Sequence, residues 1–433
     1  MDIQSLYQVY KKYPSITTDT RKIEKDSIFF ALKGANFNGN TFAGQALEIG
    51  ARYVVIDEEI YKKSEQYILV DDVLKALQDL ANYHRKQLNI PIIGVTGTNG
   101  KTTTKELLYS VVSQKYKTYA TRGNLNNHIG VPLTLLAIDA SIEVAIIEMG
   151  ANHLREIAFL CAIAEPTHGL ISNVGKAHLE GFGSFEGVKK TKGELYDWLQ
   201  DHHGVLFLQA DNAHLREMAA ARQIANIVTY GFSENNDIIG KLLKATPLLQ
   251  ISWKRKEDQH AYIIDTQLTG AYNTENFLAA IAVGLHFNIA PQAINSGIEN
   301  YTPTNNRSQI MNTAKNTVIC DYYNANATSM AAALDNIRII EAERKAVILG
   351  DMFELGAESF EEHRKIVDNV KSMFVDRKIL VGKAFFEHRN DDAEFYENTL
   401  EAKVALLENP IVGATVLLKA SRGMAFENLI DLL

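Results

Sequence analysis

Short apolar runs alternate along this chain with stretches whose apolar positions recur at helical spacing. Residues 27–32 and 53–56 read as strands, and 73–88 carries an amphipathic helical pattern. Three later runs, 90–96, 143–147 and 169–171, are apolar on both faces. A strand with one wet face alternates, so these predict a parallel sheet covered by helices on both sides. Pro91 at the start of the first run is tolerated because no ladder N–H is needed there. After about residue 303 the pattern restarts, with strands expected at 318–320, 346–349, 378–381 and 415–418 and helices between them. The stretch 301–306, with Pro303 and two asparagines, reads as the linker. The expectation is an α/β protein of three units: a small one at 1–88, a central one at 89–303 and a C-terminal one at 304–433.

Length agrees with that division, since 433 residues exceed one ordinary domain. With 46% apolar and 22% charged residues the chain has the composition of a globular protein, not of a disordered one. The net charge of −8 argues against general nucleic-acid binding, which depends on neutralising phosphates, but leaves room for a local phosphate site. Two isolated cysteines, Cys161 and Cys320, read as core residues in a reducing compartment. The start Met1-Asp2-Ile3-Gln4 leads into no basic-then-apolar leader, and no apolar run approaches the roughly 20 residues that span a bilayer. A soluble, cytoplasmic monomer is expected.

The most informative segment is G-V-T-G-T-N-G-K-T-T-T at 94–104, a buried strand running into a glycine loop with a helix expected from about Thr102. Glycines let backbone N–H groups turn toward phosphate oxygens, and a helix N-terminus adds partial positive charge. Lys101 then reaches the β- and γ-phosphates and the Thr102 hydroxyl can ligate Mg²⁺. The strict phosphate-loop pattern wants glycine where Val95 stands; the glycines here are Gly94, Gly97 and Gly100.

Glu148 ends a buried strand, where α/β sheets bind ligands; it is either a Mg²⁺ ligand or a cap for the next helix. His178, in the run 172–180 past another strand, is either a metal ligand or a structural histidine. On local sequence alone, Lys189, Lys190 and Lys192 read as the solvated basic face of a helix.

Taken in order, these motifs resemble the Mur ligases, which build the peptide stem of bacterial cell-wall precursors. The resemblance rests on G-T-N-G-K-T-T, G-N-L-N-N-H-I-G-V-P-L-T (123–134), E-M-G-A, N-V-G-K-A-H-L-E and T-K-G-E. It continues through G-A-Y-N-T-E-N-F-L-A-A (270–280), N-R-S-Q (306–309), L-G-D-M-F-E-L-G (349–356) and K-A-S-R-G (419–423), so it covers nearly the whole chain. Within the family, T-D-T-R-K-I (18–23), F-F-A-L-K-G (29–34) and D-Y-Y-N-A-N-A-T-S-M (321–330) resemble the branch that adds D-alanyl-D-alanine; the D-N-P-R motif of the diamino-acid-adding branch is absent. Tyr322, Ala327 and Tyr272 stand where that branch usually has serine, proline and often histidine, and Asn38-Gly39-Asn40-Thr41-Phe42 replaces its usual D-G-H-D-F.

The resemblance implies a small N-terminal α/β domain, a central domain with a parallel sheet of the P-loop ATPase kind and a Rossmann-like C-terminal domain. It implies ATP as phosphoryl donor, cradled by Gly97, Thr98, Asn99, Gly100, Lys101, Thr102 and Thr103. Asn273 and Asn276 would meet adenine, Arg307 would contact ATP and Asp321 its ribose, with Asn324 and Asn326 lining the cleft. Two Mg²⁺ sites are implied, one at Thr102 and Glu148 and one at His178 and Lys192. Lys192 would have to be carbamylated, since an ammonium does not ligate a cation; on the order of one lysine in 10³ is neutral at pH 7, and a nearby cation favours the carbamate. Lys101, Glu148, His178 and Lys192 would form the catalytic set. UDP-N-acetylmuramoyl-tripeptide and D-alanyl-D-alanine are the implied partners, bound through Thr20, Arg21 and Lys33, through Asn124, Asn126 and Asn127, and through Ser421 and Arg422. A sister ligase, such as the diamino-acid-adding enzyme or folylpolyglutamate synthase, fits the N-terminal motifs and Y-N-A-N less well. A phosphate-binding regulator would not need Lys101, Glu148, His178 and Lys192 together.

Overall fold

The computed structural model describes residues 1–433, the side chain of Leu179 excepted. The protein is a mixed α/β structure with three main sheets. Strands Ile16–Thr17, Ile28–Phe30, Tyr53–Ile56 and Tyr67–Leu69 form a four-stranded parallel sheet. The strand Ile28–Phe30 is shorter than the expected run 27–32, and Lys33–Gly34 then pairs antiparallel with Phe37–Asn38.

The helix Val73–Gln87 joins this sheet to the rest. Asp72 starts it by accepting from Lys75 N–H at 2.7 Å. Its Val73, Leu77, Leu80 and Ala81 lie on one buried face. Two buried polar side chains on it reach into the central unit. Arg85 donates to the carbonyls of Ala164 and Glu165, each at 2.9 Å, and the His84 ring meets Ile138 C=O at 2.8 Å. One apolar cluster consequently runs from Leu6 and Tyr10 through Leu77 and Leu80 to Ile92, Ile147 and Leu195.

The central sheet has nine strands. Ile92–Thr96 lies between His168–Ile171 and Val144–Glu148, and Thr118–Ala120 closes one edge. On the other side Val205–Gln209, Asn226–Gly231 and Ile238–Lys244 continue in parallel, and Gln250–Arg255 and Tyr262–Asp265 add antiparallel strands. The buried central strands match the apolar runs. The outer strands have half-exposed patterns, which explains why the sequence marks them weakly.

In the C-terminal unit Gln309–Asn312 pairs antiparallel with Thr317–Asp321. Thr415–Lys419, Lys345–Gly350, Arg377–Val381 and Glu394–Tyr396 complete a parallel array. Separate apolar clusters cover its two faces. The connecting stretch 301–306 contains no helix or strand, and it is pinned: Tyr301 Oη and Asn305 Nδ2 donate to Glu106 at 2.7 and 3.0 Å. Among the described residues no helix is long and apolar enough to cross a membrane.

Candidate active site

The strand Ile92–Thr96 enters a loop that ends in the helix Lys101–Val112, one residue earlier than the sequence suggested. Two loop glycines are required. A Cβ on Gly97 (φ +146°) would lie 2.0 Å from Ser172 Oγ, and one on Gly100 (φ +77°) 2.9 Å from Asn276 Oδ1. The loop is fastened from below: Thr98 N–H donates to Asn173 C=O and Asn99 N–H to Asn173 Oδ1, both at 2.9 Å. The helical ladder begins with Thr104 N–H to Gly100 C=O at 2.8 Å, so the amides before it have no intrahelical partner, the arrangement that suits an anion.

Above them lies a cavity of about 710 Å³ whose walls come from both the central and the C-terminal unit. Thr98, Asn99, Gly100, Lys101, Thr102 and Thr103 line its floor. Lys101 Nζ is folded back onto Gly97 C=O and Thr98 C=O at 2.8 and 3.0 Å. Partly open to the cavity yet ringed by protein, its ammonium is pulled down to about 8, chiefly by desolvation and further by Arg307, against the opposing charge of Glu148.

Glu148 is 1% exposed. Its Oε1 accepts from Asn126 Nδ2 at 2.8 Å, while Oε2 is buried without a partner. Among the described residues no backbone of the helix Glu156–Ala164 donates to it, so the capping alternative fails. Asn127 Oδ1 accepts from Ile129 and Gly130 N–H at 3.1 and 2.9 Å, where the chain enters the helix Gly130–Leu136, and Asn124 lines the cavity.

His178 reaches the cavity from a loop residue at φ +50°, its ring paired with the carboxylate of Glu354. Burial pulls the ring below its ordinary value, and Glu354 opposes that pull. Lys192 lies on the helix Phe185–Asp201 and does not line the cavity. The solvated-face reading holds for Lys190 and fails for Lys192, which is 2% exposed with its ammonium 5.5 Å over the Phe182 ring. Among the described residues no carboxylate pairs with it. Burial first, then the charge of Lys101, hold its pKa well below the ordinary lysine range. Glu194 of the same motif accepts from Arg155 and Ala158 N–H at 3.0 and 2.8 Å, which secures the start of the helix Glu156–Ala164.

The opposite wall is assembled differently. Arg307 stacks 3.8 Å over Tyr323, and its Nε is buried without a partner. Asp321 is paired with the buried Lys419 at 2.7 Å. Asn326 Nδ2 donates to Asn99 Oδ1 at 2.7 Å while Asn326 Oδ1 caps the helix Ala327–Ile339, and Asn324 lines the cavity nearby. Asn276 and Asn273 form a buried chain, from Thr104 Oγ1 to Asn276 at 3.0 Å and from Asn276 to Asn273 at 2.8 Å, that braces the phosphate loop. Tyr272 Oη meets Ser308 Oγ at 2.7 Å.

Several expected residues lie outside this cavity. Arg21 forms a fork with Asp19 at 2.9 and 2.8 Å beside Thr20, and Lys33 bridges Asp57 and Glu58, each at 2.9 Å. Ser421 Oγ accepts from Phe353 N–H at 3.0 Å, and the exposed Arg422 lies 5.2 Å from the Tyr323 ring. Sequence reasoning passed over Lys419, Tyr323 and Asn173 as individual residues. Each stands inside a quoted motif, but only tertiary contact assigns its task.

The donor set suits a polyphosphate with a divalent cation. Glu148 with its unpartnered carboxylate oxygen, Arg307 with its unpartnered Nε and the residues of the helix start all line one cavity. Among the described residues no three acidic, histidine or cysteine side chains cluster, so Glu148 and Thr102 would supply part of a cation's shell and phosphate and water oxygens the rest, as Mg²⁺ usually accepts.

Comparison with known proteins agrees. Residues 12–85 match the Mur ligase family catalytic domain, 95–284 the Mur ligase middle domain and 306–430 the Mur ligase glutamate ligase domain. The UDP-N-acetylmuramoyl-tripeptide–D-alanyl-D-alanine ligase of Bacillus subtilis is 35% identical, over 96% of this chain and 92% of its own. That of Escherichia coli is 33% identical over the same shares. The crystal structure of MurF from Acinetobacter baumannii superposes with a TM-score of 0.86 at 30% identity, covering 99% of this chain and 98% of the other.

Proposed function

The chain belongs to the Mur ligase family, and from that premise we propose its reaction and the roles of its residues. It is an ATP-dependent, ADP-forming ligase that joins D-alanyl-D-alanine to UDP-N-acetylmuramoyl-tripeptide in peptidoglycan precursor synthesis. The observation that carries this reading is the two-walled cavity, with the phosphate loop, Lys101 and the bare oxygen of Glu148 on one side and Arg307 and Asp321 on the other.

A carboxylate is a poor acylating agent and must first be activated. The substrate carboxylate oxygen bonds to the γ-phosphorus as the bond to the β-phosphate oxygen breaks, giving ADP and an acyl phosphate. The dipeptide amine then attacks the carbonyl carbon, loses a proton, and phosphate departs with the former carboxylate oxygen. The amides of residues 100–103 hold the phosphates, and Lys101 leaves its own loop carbonyls to follow the migrating charge. Arg307, kept flat by Tyr323, presents its free Nε from the far wall. The Asn99–Asn326 contact brings the start of the helix Ala327–Ile339 against the loop, which excludes water that would hydrolyse the acyl phosphate. Thr102 and Glu148 would hold one Mg²⁺, and His178 with a carbamylated Lys192 a second; the cations would supply charge that offsets repulsion between the carboxylate and the γ-phosphoryl group. The burial and depressed pKa of Lys192 support the carbamate, since both raise the share of reactive neutral amine. Residues 1–88 bind the uridine nucleotide through Thr20, Arg21 and Lys33, 89–303 carry ATP, and 304–433 close the site. Asn124, Asn126, Asn127, Ser421 and Arg422 contribute to substrate binding.

The test is an assay of ADP release. Release is expected only with the UDP-tripeptide and D-alanyl-D-alanine together. Faster turnover with a free diamino acid and the UDP-dipeptide would move the chain to the sister branch.

A further inference from the structure

The segment after the strand His168–Ile171 is held at its two ends by different parts of the chain. Its first half is tied to the phosphate loop. Ser172 Oγ donates to Asn99 C=O at 2.6 Å, and Gly175 N–H donates to Thr98 Oγ1 at 3.0 Å. Its second half is tied to the C-terminal unit. Lys176 Nζ lies 3.1 Å from Glu358 and 3.7 Å from the buried Glu362, and the His178 ring pairs with Glu354. Packing follows the same path: a Cβ on Gly175 would lie 3.1 Å from Thr328 Oγ1, and one on Gly356 3.4 Å from Glu180 Cβ. His178 (φ +50°) and Glu354 (φ +64°) both hold left-handed backbone, an uncommon and costly conformation for such residues, and their side chains meet across the gap.

We propose that Glu354 is a positioning residue for the ligase reaction: carried by the C-terminal unit, it orients the His178 ring, while Lys176 with Glu358 and Glu362 seats the segment that joins His178 to the phosphate loop. The role in catalysis rests on the ligase reading above; the latch itself does not. An exposed ion pair alone contributes little. Here one acid is buried, and the pairs act on a segment already fixed to Thr98 and Asn99. Seating the C-terminal unit therefore sets the ring and the loop together.

Two measurements test this on the full-length protein. Small-angle scattering without nucleotide needs no turnover. Lys176→Glu places like charges together, so this variant should have a larger radius of gyration than wild type, and Lys176→Glu/Glu358→Lys should return to the wild-type value. In ADP-release kinetics, Glu354→Ala should lower kcat about tenfold with the KM for the UDP-substrate within about twofold, and Glu354→Gln should recover most of the loss because its amide still reaches the ring. A Lys176→Glu protein no more extended than wild type, a charge swap that fails to restore it, or wild-type kcat in Glu354→Ala would each overturn the proposal. Failure of the wild type to release ADP would count against the ligase reading, and the scattering arms would still decide the latch.

Discussion

The two walls of the cavity are built in contrasting ways. The central wall comes from contiguous motifs at the carboxyl ends of neighbouring parallel strands, and it is hydrogen-bonded to itself through Asn173, Ser172 and the Asn273–Asn276 chain. Its own hydrogen bonds hold it in place. The C-terminal wall reaches the site through side-chain contacts with the central unit, among them Asn326 on Asn99 and Glu354 on His178. A self-braced wall can hold phosphates tightly, and a wall on a separate unit can, if it moves, admit large substrates and then exclude water. The chemistry depends on both, but they should fail differently when damaged.

The largest effect should follow loss of Lys101. Lys101→Ala removes the cation nearest the transferred phosphoryl group, and kcat should fall by about 10²–10³. The thermal melt should stay unchanged, because the side chain bonds only its own loop carbonyls. Turnover near wild type would show that the self-braced wall is not catalytic. Lys192→Ala should be nearly as damaging if the lysine is carbamylated. Acetate should then restore part of the activity and chloride at matched ionic strength should not, which separates a replaced ligand from screening. A silent Lys192→Ala would remove the carbamate from the account.

The C-terminal wall should break in another way. Lys419→Met leaves Asp321 without its partner in a largely buried place, and breaking such a pair costs about 3 kcal/mol. Its melting temperature should therefore drop along with its rate, unlike that of Lys101→Ala; an unchanged melt would refute a structural role for the pair. Arg21→Ala touches neither wall. It should raise the KM for the UDP-substrate about tenfold and leave that for ATP alone. Equal effects on both would refute the assignment of uridine to residues 1–88.

The smallest effect concerns pH. Glu275 lines the cavity, and burial, then Asp211, raise its carboxyl to about 7. A raised folded-state pKa favours the fold while both states are protonated, and that advantage is lost as pH rises from about 4.5, where the unfolded chain ionises, to 7. Glu275→Gln should therefore match wild type in stability at pH 4 and exceed it at pH 8. Equal melting curves at pH 8 would show that the carboxyl is not desolvated.

The same contrast explains what could be read from the sequence. Apolar runs on both faces marked the strands that carry Thr96, Glu148 and Ile171, because full burial leaves no polar position to confuse the pattern. Gly97 and Gly100 were legible because only glycine fits where they stand. The strands from Val205 to Asp265 were not singled out, since one face of several is exposed and their residues mix polar and apolar types. Lys192 was illegible on local grounds: it sits in a run of lysines, and only the helix's packing against Phe182 separates it from Lys190. Glu354 and Lys419 acquire their partners from residues 176 and 98 positions away in sequence, which no local pattern encodes.

The central claim is that the carboxylate is activated as an acyl phosphate, and an isotope reports on that bond directly. The UDP-tripeptide carrying oxygen-18 in its reacting carboxylate is incubated with ATP, D-alanyl-D-alanine and the enzyme, and the released phosphate is analysed by mass. The account predicts ADP as the nucleotide product and one labelled oxygen transferred to inorganic phosphate at each turnover. Label retained wholly in the peptide product, or label appearing in AMP, would contradict it.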